Sequence, residues 1–212
     1  MRKGWIFDLD GTLVDSLPGI ATSLNAALVS CQQPEHTTSA IRGFIGDGAE
    51  MLVRRALVTD DSELVADVLE HFRAHYAKHW SKGTTPYPGI CDLLSQLQAR
   101  GDQLAVLSNK PHAFTMQIVE SLFPATFDQV LGQRPGIPHK PDPAGLKEIL
   151  ASSAWMAEQS IMIGDSVMDL QTARAAGIPS IAVTWGYHDS APLLAEQPPW
   201  MAHDVGDLAR IM

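Results

Sequence analysis

Trp5-Ile6-Phe7-Asp8-Leu9-Asp10-Gly11-Thr12-Leu13-Val14-Asp15-Ser16 begins apolar and turns acidic within four residues. Trp5-Ile6-Phe7 with Leu9 reads as a short buried strand, and Asp10-Gly11 supplies the turn chemistry that ends it. The first element therefore aims two carboxylates at a loop. Downstream, Leu17, Ile20, Ala21, Leu24, Ala27, Leu28 and Cys31 recur at spacings of three and four, which predicts an amphipathic helix from Ser16 to Gln32, interrupted near its start by Pro18-Gly19. Met51, Leu52, Arg55 and Ala56 resume a helical pattern after the Gly46-Asp47-Gly48 turn. Asp60 and Glu63, spaced like a capping pair, precede Leu64, Val68, Phe72, His75 and Tyr76. Residues 16–80 read as all-helical.

The polar, proline-containing stretch from Lys82 to Gly89 separates this block from a different grammar. Strands are expected at Leu104–Leu107, Phe127–Leu131, Ser160–Ile163 and Ser180–Val183. Helices are expected through Leu93, Leu94 and Leu97, then at Ala113–Leu122, Pro143–Leu150 and Leu170–Ala176. An edge strand near Met201 and a last helix at Val205–Ile211 close the chain. Alternating strands and helices predict an α/β fold: a Rossmann-like parallel sheet covered by helices, with a small all-helical insert after the first strand. Residues 1–15 and 81–212 form the expected core and 16–80 the insert. In such sheets the active site forms at the carboxyl ends of the strands.

A chain of 212 residues can hold one core and a modest insertion, and should bury roughly 70% of its unfolded surface. With 15 Lys plus Arg against 24 Asp plus Glu, the net charge of −9 opposes a nucleic-acid groove or an anionic membrane as the main partner. A small anionic substrate remains compatible, because a metal and a few cations can reverse the field inside one pocket. Cys31 and Cys91 belong to no metal-spaced cluster and suggest no disulfide framework. Met1-Arg2-Lys3-Gly4 starts like a signal peptide, but Asp8 and Asp10 break the apolar run, so a cytoplasmic protein is expected.

Four short motifs carry chemistry. In Asp8-Leu9-Asp10-Gly11-Thr12, two nearby carboxylates repel unless a divalent cation joins them; Gly11 permits close backbone approach and Thr12 adds a hydroxyl. Ser108-Asn109-Lys110 follows an apolar strand. His139-Lys140-Pro141 places a lysine before a proline that can begin a helix. Gly164-Asp165-Ser166-Val167-Met168-Asp169 again follows an apolar strand, and acids from separate strand ends suit the hard-oxygen coordination of magnesium. Taken singly, each motif also reads as a turn, a helix cap or a solvated lysine.

Together and in this order, the motifs resemble those of the haloacid dehalogenase-like phosphohydrolases, over nearly the whole chain. The resemblance implies that Asp8 is the nucleophile forming an aspartyl-phosphate and Asp10 the general acid and base. It implies further that Lys140 neutralises nucleophile and phosphate, while Gly11, Thr12, Ser108 and Asn109 bind substrate with it. Asp8, Asp165 and the main-chain carbonyl of Asp10 would hold Mg2+, with Asp169 as support. The acid pair argues against dehalogenation, since the dehalogenating branch lacks it.

Asn109 and Lys110, the segment Ile41 to Leu52 and Trp185-Gly186-Tyr187 extend the likeness toward the phosphoglycolate phosphatase branch. The insert then corresponds to a small cap, with Arg42 a candidate contact to the nonphosphate end of the substrate. The expected activity is hydrolysis of 2-phosphoglycolate. Sugar or amino-sugar phosphates, pyrophosphate, a beta-phosphoglucomutase-like transfer and a nonenzymatic phosphate-binding regulator are the alternatives. The expected partner is a small phosphorylated metabolite, and a homodimer is left open. His71, His75 and His79 share a helical face beside Phe72 and Tyr76, and amphipathic packing explains them without zinc. Met51, Met116, Met156, Met162 and Met168 are expected in core packing.

Overall fold

A computed structural model describes residues 3–59, 61–152 and 157–212. Six strands form one parallel sheet: β1 (Gly4–Phe7), β4 (Gln103–Pro111), β5 (Gln129–Gln133), β6 (Ser160–Gly164), β7 (Ser180–Val183) and β8 (Trp200–Ala202), in the order β5-β4-β1-β6-β7-β8. All four residues of β1 are buried, as a central strand covered on both faces requires. Ile6 packs with Ala105, Leu107, Leu146, Ile149, Met162, Ala173 and Ile178, a cluster that includes α7 (Ala144–Ser152) and α8 (Val167–Ala176). Phe7 alternates to the opposite face and meets Phe127 edge-on. Helices α5 (Ile90–Ala99) and α10 (Val205–Ile211) pack on each other.

The chain runs from β1 through α5 to β4, then through α6 (His112–Leu122) to β5, and next crosses back to β6 on the other side of β1. The loops after β1 and β6 therefore diverge, which opens the crevice where α/β sheets bind ligands. The register makes this local: Phe7 is level with both Val106 and Ile163.

By its contacts the chain divides into two compact units, Met1–Val14 with Pro86–Met212, and Asp15–Thr85. The short strands β2 (Val14–Asp15) and β3 (Thr85–Pro86) lie where the chain passes between them. The second unit is helical: α1 (Leu17–Ser30), α2 (Thr38–Arg42), α3 (Gly48–Leu57) and α4 (Ser62–His79).

Several local expectations need correction. Pro18 does not interrupt α1; it sits in the first turn, where no amide donor is needed. Helix α2 was not anticipated; it is five residues long, and Thr37 caps it through Ala40 N–H. Asp60 lies outside the described residues, and Asp61 caps α4 by accepting from Glu63 and Leu64 N–H. Pro141 does not begin α7, which starts at Ala144, whose N–H donates to the Asp142 carboxylate. Met162 is buried, but Met51 is 39% exposed and is not a core residue; Met1, Arg2 and Met156 fall outside the described residues. Among the described residues no helix is long and apolar enough to cross a membrane.

Candidate active site

The turn after β1 is built around one acceptor. The Leu9 carbonyl receives the amides of Thr12, Leu13 and Val14 at 3.3, 3.0 and 3.0 Å, while Gly11 N–H donates to Val14 O at 2.9 Å. Gly11 has φ 87°, and a Cβ there would overlap the Asp165 carboxyl, so the turn needs glycine on both counts. Its amide is already used within the turn. Asp8 N–H donates to Ile163 O at 2.9 Å, which carries the β1–β6 pairing one residue past the strand and fixes Asp8 beside Asp165.

Strand β4 runs further than the apolar run alone suggests, through Pro111, so Ser108, Asn109 and Lys110 are buried strand residues around a register shift. Ser108 Oγ accepts from Lys110 N–H at 3.2 Å. Asn109, expected to bind substrate, grips the Lys140 backbone with its amide, accepting from Lys140 N–H at 2.8 Å and donating to Lys140 O at 3.1 Å. This clamp joins two motifs 31 residues apart.

Lys140 is 6% exposed and places its ammonium on three acceptors: Asp8 Oδ1 at 2.8 Å, Asp169 Oδ1 at 2.6 Å and Leu107 O at 3.2 Å. Three acceptors match its three protons. Asp169 is fully buried; its other oxygen accepts from Ser166 N–H at 3.0 Å and Ser166 Oγ at 2.6 Å, closing a capping box at the start of α8. Asp165 accepts from Tyr187 N–H at 2.7 Å, has His188 Nδ1 at 3.4 Å, and receives the Thr12 hydroxyl at 3.4 Å. Thr12 is itself buried, and its carbonyl accepts from Trp185 Nε1 at 3.1 Å. Asp10 is paired by Lys110, whose Nζ lies 3.0 and 2.9 Å from its two carboxylate oxygens. Arg42 is exposed at the end of α2 in the helical unit.

Asp8, Asp165 and Asp169 each offer a carboxylate oxygen within 4.8 Å of the others. Three carboxylates against the Lys140 ammonium leave two negative charges in a buried space, the deficit that one divalent cation cancels. The acid cluster thus fits such a cation. Its electrostatics register the same deficit. Burial pushes Asp8 up to about 7, and the Asp169 and Asp165 charges add to that rise against the opposing pull of Lys140. Burial alone would lower Lys140, but the Asp169 and Asp8 carboxylates outweigh it and raise the ammonium well above its usual range. The Asp165 contact likewise raises His188.

His188 and Gly186 are the parts of the site that sequence reasoning missed. A Cβ at Gly186 would overlap both the Asp165 side chain and Gly11 O. Gly186→Ala is therefore expected to displace the Asp165 carboxylate and weaken divalent-cation binding by about 10- to 100-fold, as loss of a support to a metal ligand typically does. Calorimetric titration of the variant and the parent checks this.

Comparison with known proteins adds to the geometry. The haloacid dehalogenase-like hydrolase profile matches residues 5–183. The chain is similar to the phosphoglycolate phosphatase of Rhodospirillum rubrum, at 40% identity over 88% of this chain and 81% of the relative. It is also similar to that of Pseudomonas savastanoi pv. phaseolicola, at 35% identity over 96% and 77%. A crystal structure from Lactobacillus delbrueckii subsp. bulgaricus superposes with TM-score 0.93 at 33% identity, covering 100% of this chain and 98% of the other. A haloacid dehalogenase-like family hydrolase from Streptococcus pneumoniae gives 0.89 at 29% identity, covering 100% and 99%.

Proposed function

Because this chain belongs to the haloacid dehalogenase-like hydrolases and is a phosphatase, we propose that Asp8 carries its reaction and that 2-phosphoglycolate is its substrate. The observation that carries this reading is the buried Asp8–Lys140 pair inside an acid cluster at the strand ends. Asp8 Oδ attacks phosphorus in line with the ester oxygen; the Asp8–phosphorus bond forms, the ester bond breaks, and Asp10 gives its proton to the departing alcohol. Water then cleaves the aspartyl-phosphate and Asp10 takes the proton back.

Lys140 keeps Asp8 aligned and balances the charge of the incoming phosphate, and the Ser108 hydroxyl orients a phosphoryl oxygen. Asn109 holds the Lys140 backbone and Asp169 holds its ammonium. Asp8, Asp165 and the main-chain carbonyl of Asp10 would hold magnesium, whose positive charge would offset the repulsion between the anionic phosphate and the anionic nucleophile. The helical insert stands in the sequence position of the family cap, and this reading assigns Arg42 and its neighbours to substrate choice.

The test is a magnesium-dependent phosphate-release screen over 2-phosphoglycolate, sugar phosphates, nucleotides and pyrophosphate. The expected ranking by kcat/KM places 2-phosphoglycolate first by at least about tenfold. A nucleotide or sugar phosphate in first place overturns the substrate assignment.

Proton and cation compete for Asp8, whose carboxyl is pushed up to about 7. Below that pH the cation must displace a proton, and above it none. Magnesium affinity is thus expected to strengthen by roughly 30-fold between pH 5.5 and pH 8, and calorimetry at both values checks it.

A further inference from the structure

Two lysines serve this site, and only Lys140 has a task in the reaction as described. Lys110 lies 100 residues from Asp10 in sequence, yet its Nζ meets both carboxylate oxygens, with 7% and 13% of the two side chains exposed. Its backbone is held hard: the N–H donates to Ser108 Oγ at 3.2 Å, the carbonyl accepts from Thr115 Oγ1 at 3.1 Å, and a Cβ at Gly132 would overlap that same carbonyl. Asp10, by contrast, sits on the turn beside Gly11. Its carboxylate also stands outside the oxygen cluster made by Asp8, Asp165 and Asp169.

We propose that Lys110 is a positioning residue for Asp10: its ammonium bonds both oxygens of the carboxylate, and keeps one of them when the other carries the proton, so that the acid stays aimed at the leaving oxygen. The inference rests on Asp10 as the general acid of the proposed function. In the step concerned, the bond from phosphorus to the ester oxygen breaks, the bond from Asp8 Oδ to phosphorus forms, and the Asp10 proton goes to the departing oxygen. An alkyl alcohol needs that proton to leave. A nitrophenolate leaves without it. Misplacing the acid therefore penalises one leaving group and spares the other, whereas damage to phosphate binding penalises both.

The experiment compares Lys110→Met with the parent on 2-phosphoglycolate, on 2-hydroxyethyl phosphate, which lacks the carboxylate, and on para-nitrophenyl phosphate. The expected result is a fall in kcat/KM of about 100-fold for both alkyl esters and no more than about fivefold for the aryl ester. Lys110→Arg, which keeps a charge and paired donors, is expected to recover at least about tenfold of the alkyl loss. In an Asp10→Asn background, Lys110→Met is expected to add less than about threefold, because the residue it positions is already gone. Equal falls on all three esters would overturn the proposal, as would full additivity with Asp10→Asn. Loss confined to 2-phosphoglycolate would make Lys110 a contact to the substrate carboxylate instead. A parent enzyme that turns over the other two esters but not 2-phosphoglycolate removes the substrate assignment alone, and the leaving-group comparison then stands on 2-hydroxyethyl phosphate.

Discussion

Asp8→Asn is expected to lower turnover by a factor on the order of 10^5 or more while leaving the purified protein folded. An amide is no nucleophile toward phosphorus, and the nearby carboxylates are engaged: Asp10 with Lys110, Asp169 with Lys140 and Ser166, and Asp165 with Tyr187 N–H beside His188. The same substitution has an opposite effect on stability. The folded Asp8 carboxyl is raised to about 7 by burial, above its value of 3.8 in the unfolded chain. The native state thus holds the proton more tightly, so this group's contribution is fully present below about pH 4 and is lost as pH rises toward 7. Metal-free Asp8→Asn should therefore melt at or above the parent temperature at pH 8, with the difference vanishing near pH 4. Thermal melts across that window with metal chelated, paired with a phosphate-release assay, test both halves. Near-parental turnover would remove Asp8 from the reaction. A variant less stable than the parent at pH 8 would mean that the Asp8–Lys140 pair outweighs the burial cost.

The placement of the candidate site residues was legible in the sequence where it depends on a residue's own strand. Asp8, Ser108 and Asp165 each follow or end an apolar run, and the parallel register carries them to one end of one sheet, while Lys140 reaches them from the loop between β5 and α7. The supports depend on partners far along the chain and leave no local pattern. Nothing in Ser108-Asn109-Lys110 announces that Asn109 clamps Lys140 or that Lys110 holds Asp10, since both depend on the register shift late in β4. Burial explains the apparent polarity of that strand end: the three residues are all below 10% exposed because each polar tip finds a charged or backbone partner. His188 was passed over for the same reason. It follows Trp185-Gly186-Tyr187 in a loop whose purpose is visible only once Gly186 lies against Asp165. In the helical unit, amphipathic spacing was sufficient for α1 and α4 but not for α2, where a threonine cap decides a helix of five residues.

Lys140→Met should be the most destabilising single change at the site. The ammonium is the one positive group among the described contacts of Asp8 and Asp169, and it lies at 2.6–2.8 Å from both. Removing it leaves three buried carboxylates facing one another, and the loss of one partner from a buried ion pair typically costs about 3–5 kcal/mol. For a chain of this length that corresponds to a fall in Tm of roughly 10 °C. Methionine has a stem of similar length, so the loss is of charge more than of volume. The signature that separates this from ordinary misfolding is its response to metal. With the deficit grown from two charges to three, magnesium is expected to raise the Tm of Lys140→Met by more degrees than it raises the parent's. Turnover is expected to fall about 10^3-fold even at saturating metal, because the cation cannot reproduce the ammonium's hold on Asp8 from the Asp169 side. Equal magnesium shifts in parent and variant would show that Lys140 does not carry the charge balance of the cluster, and the fit of a divalent cation to these three acids would have to be argued without it.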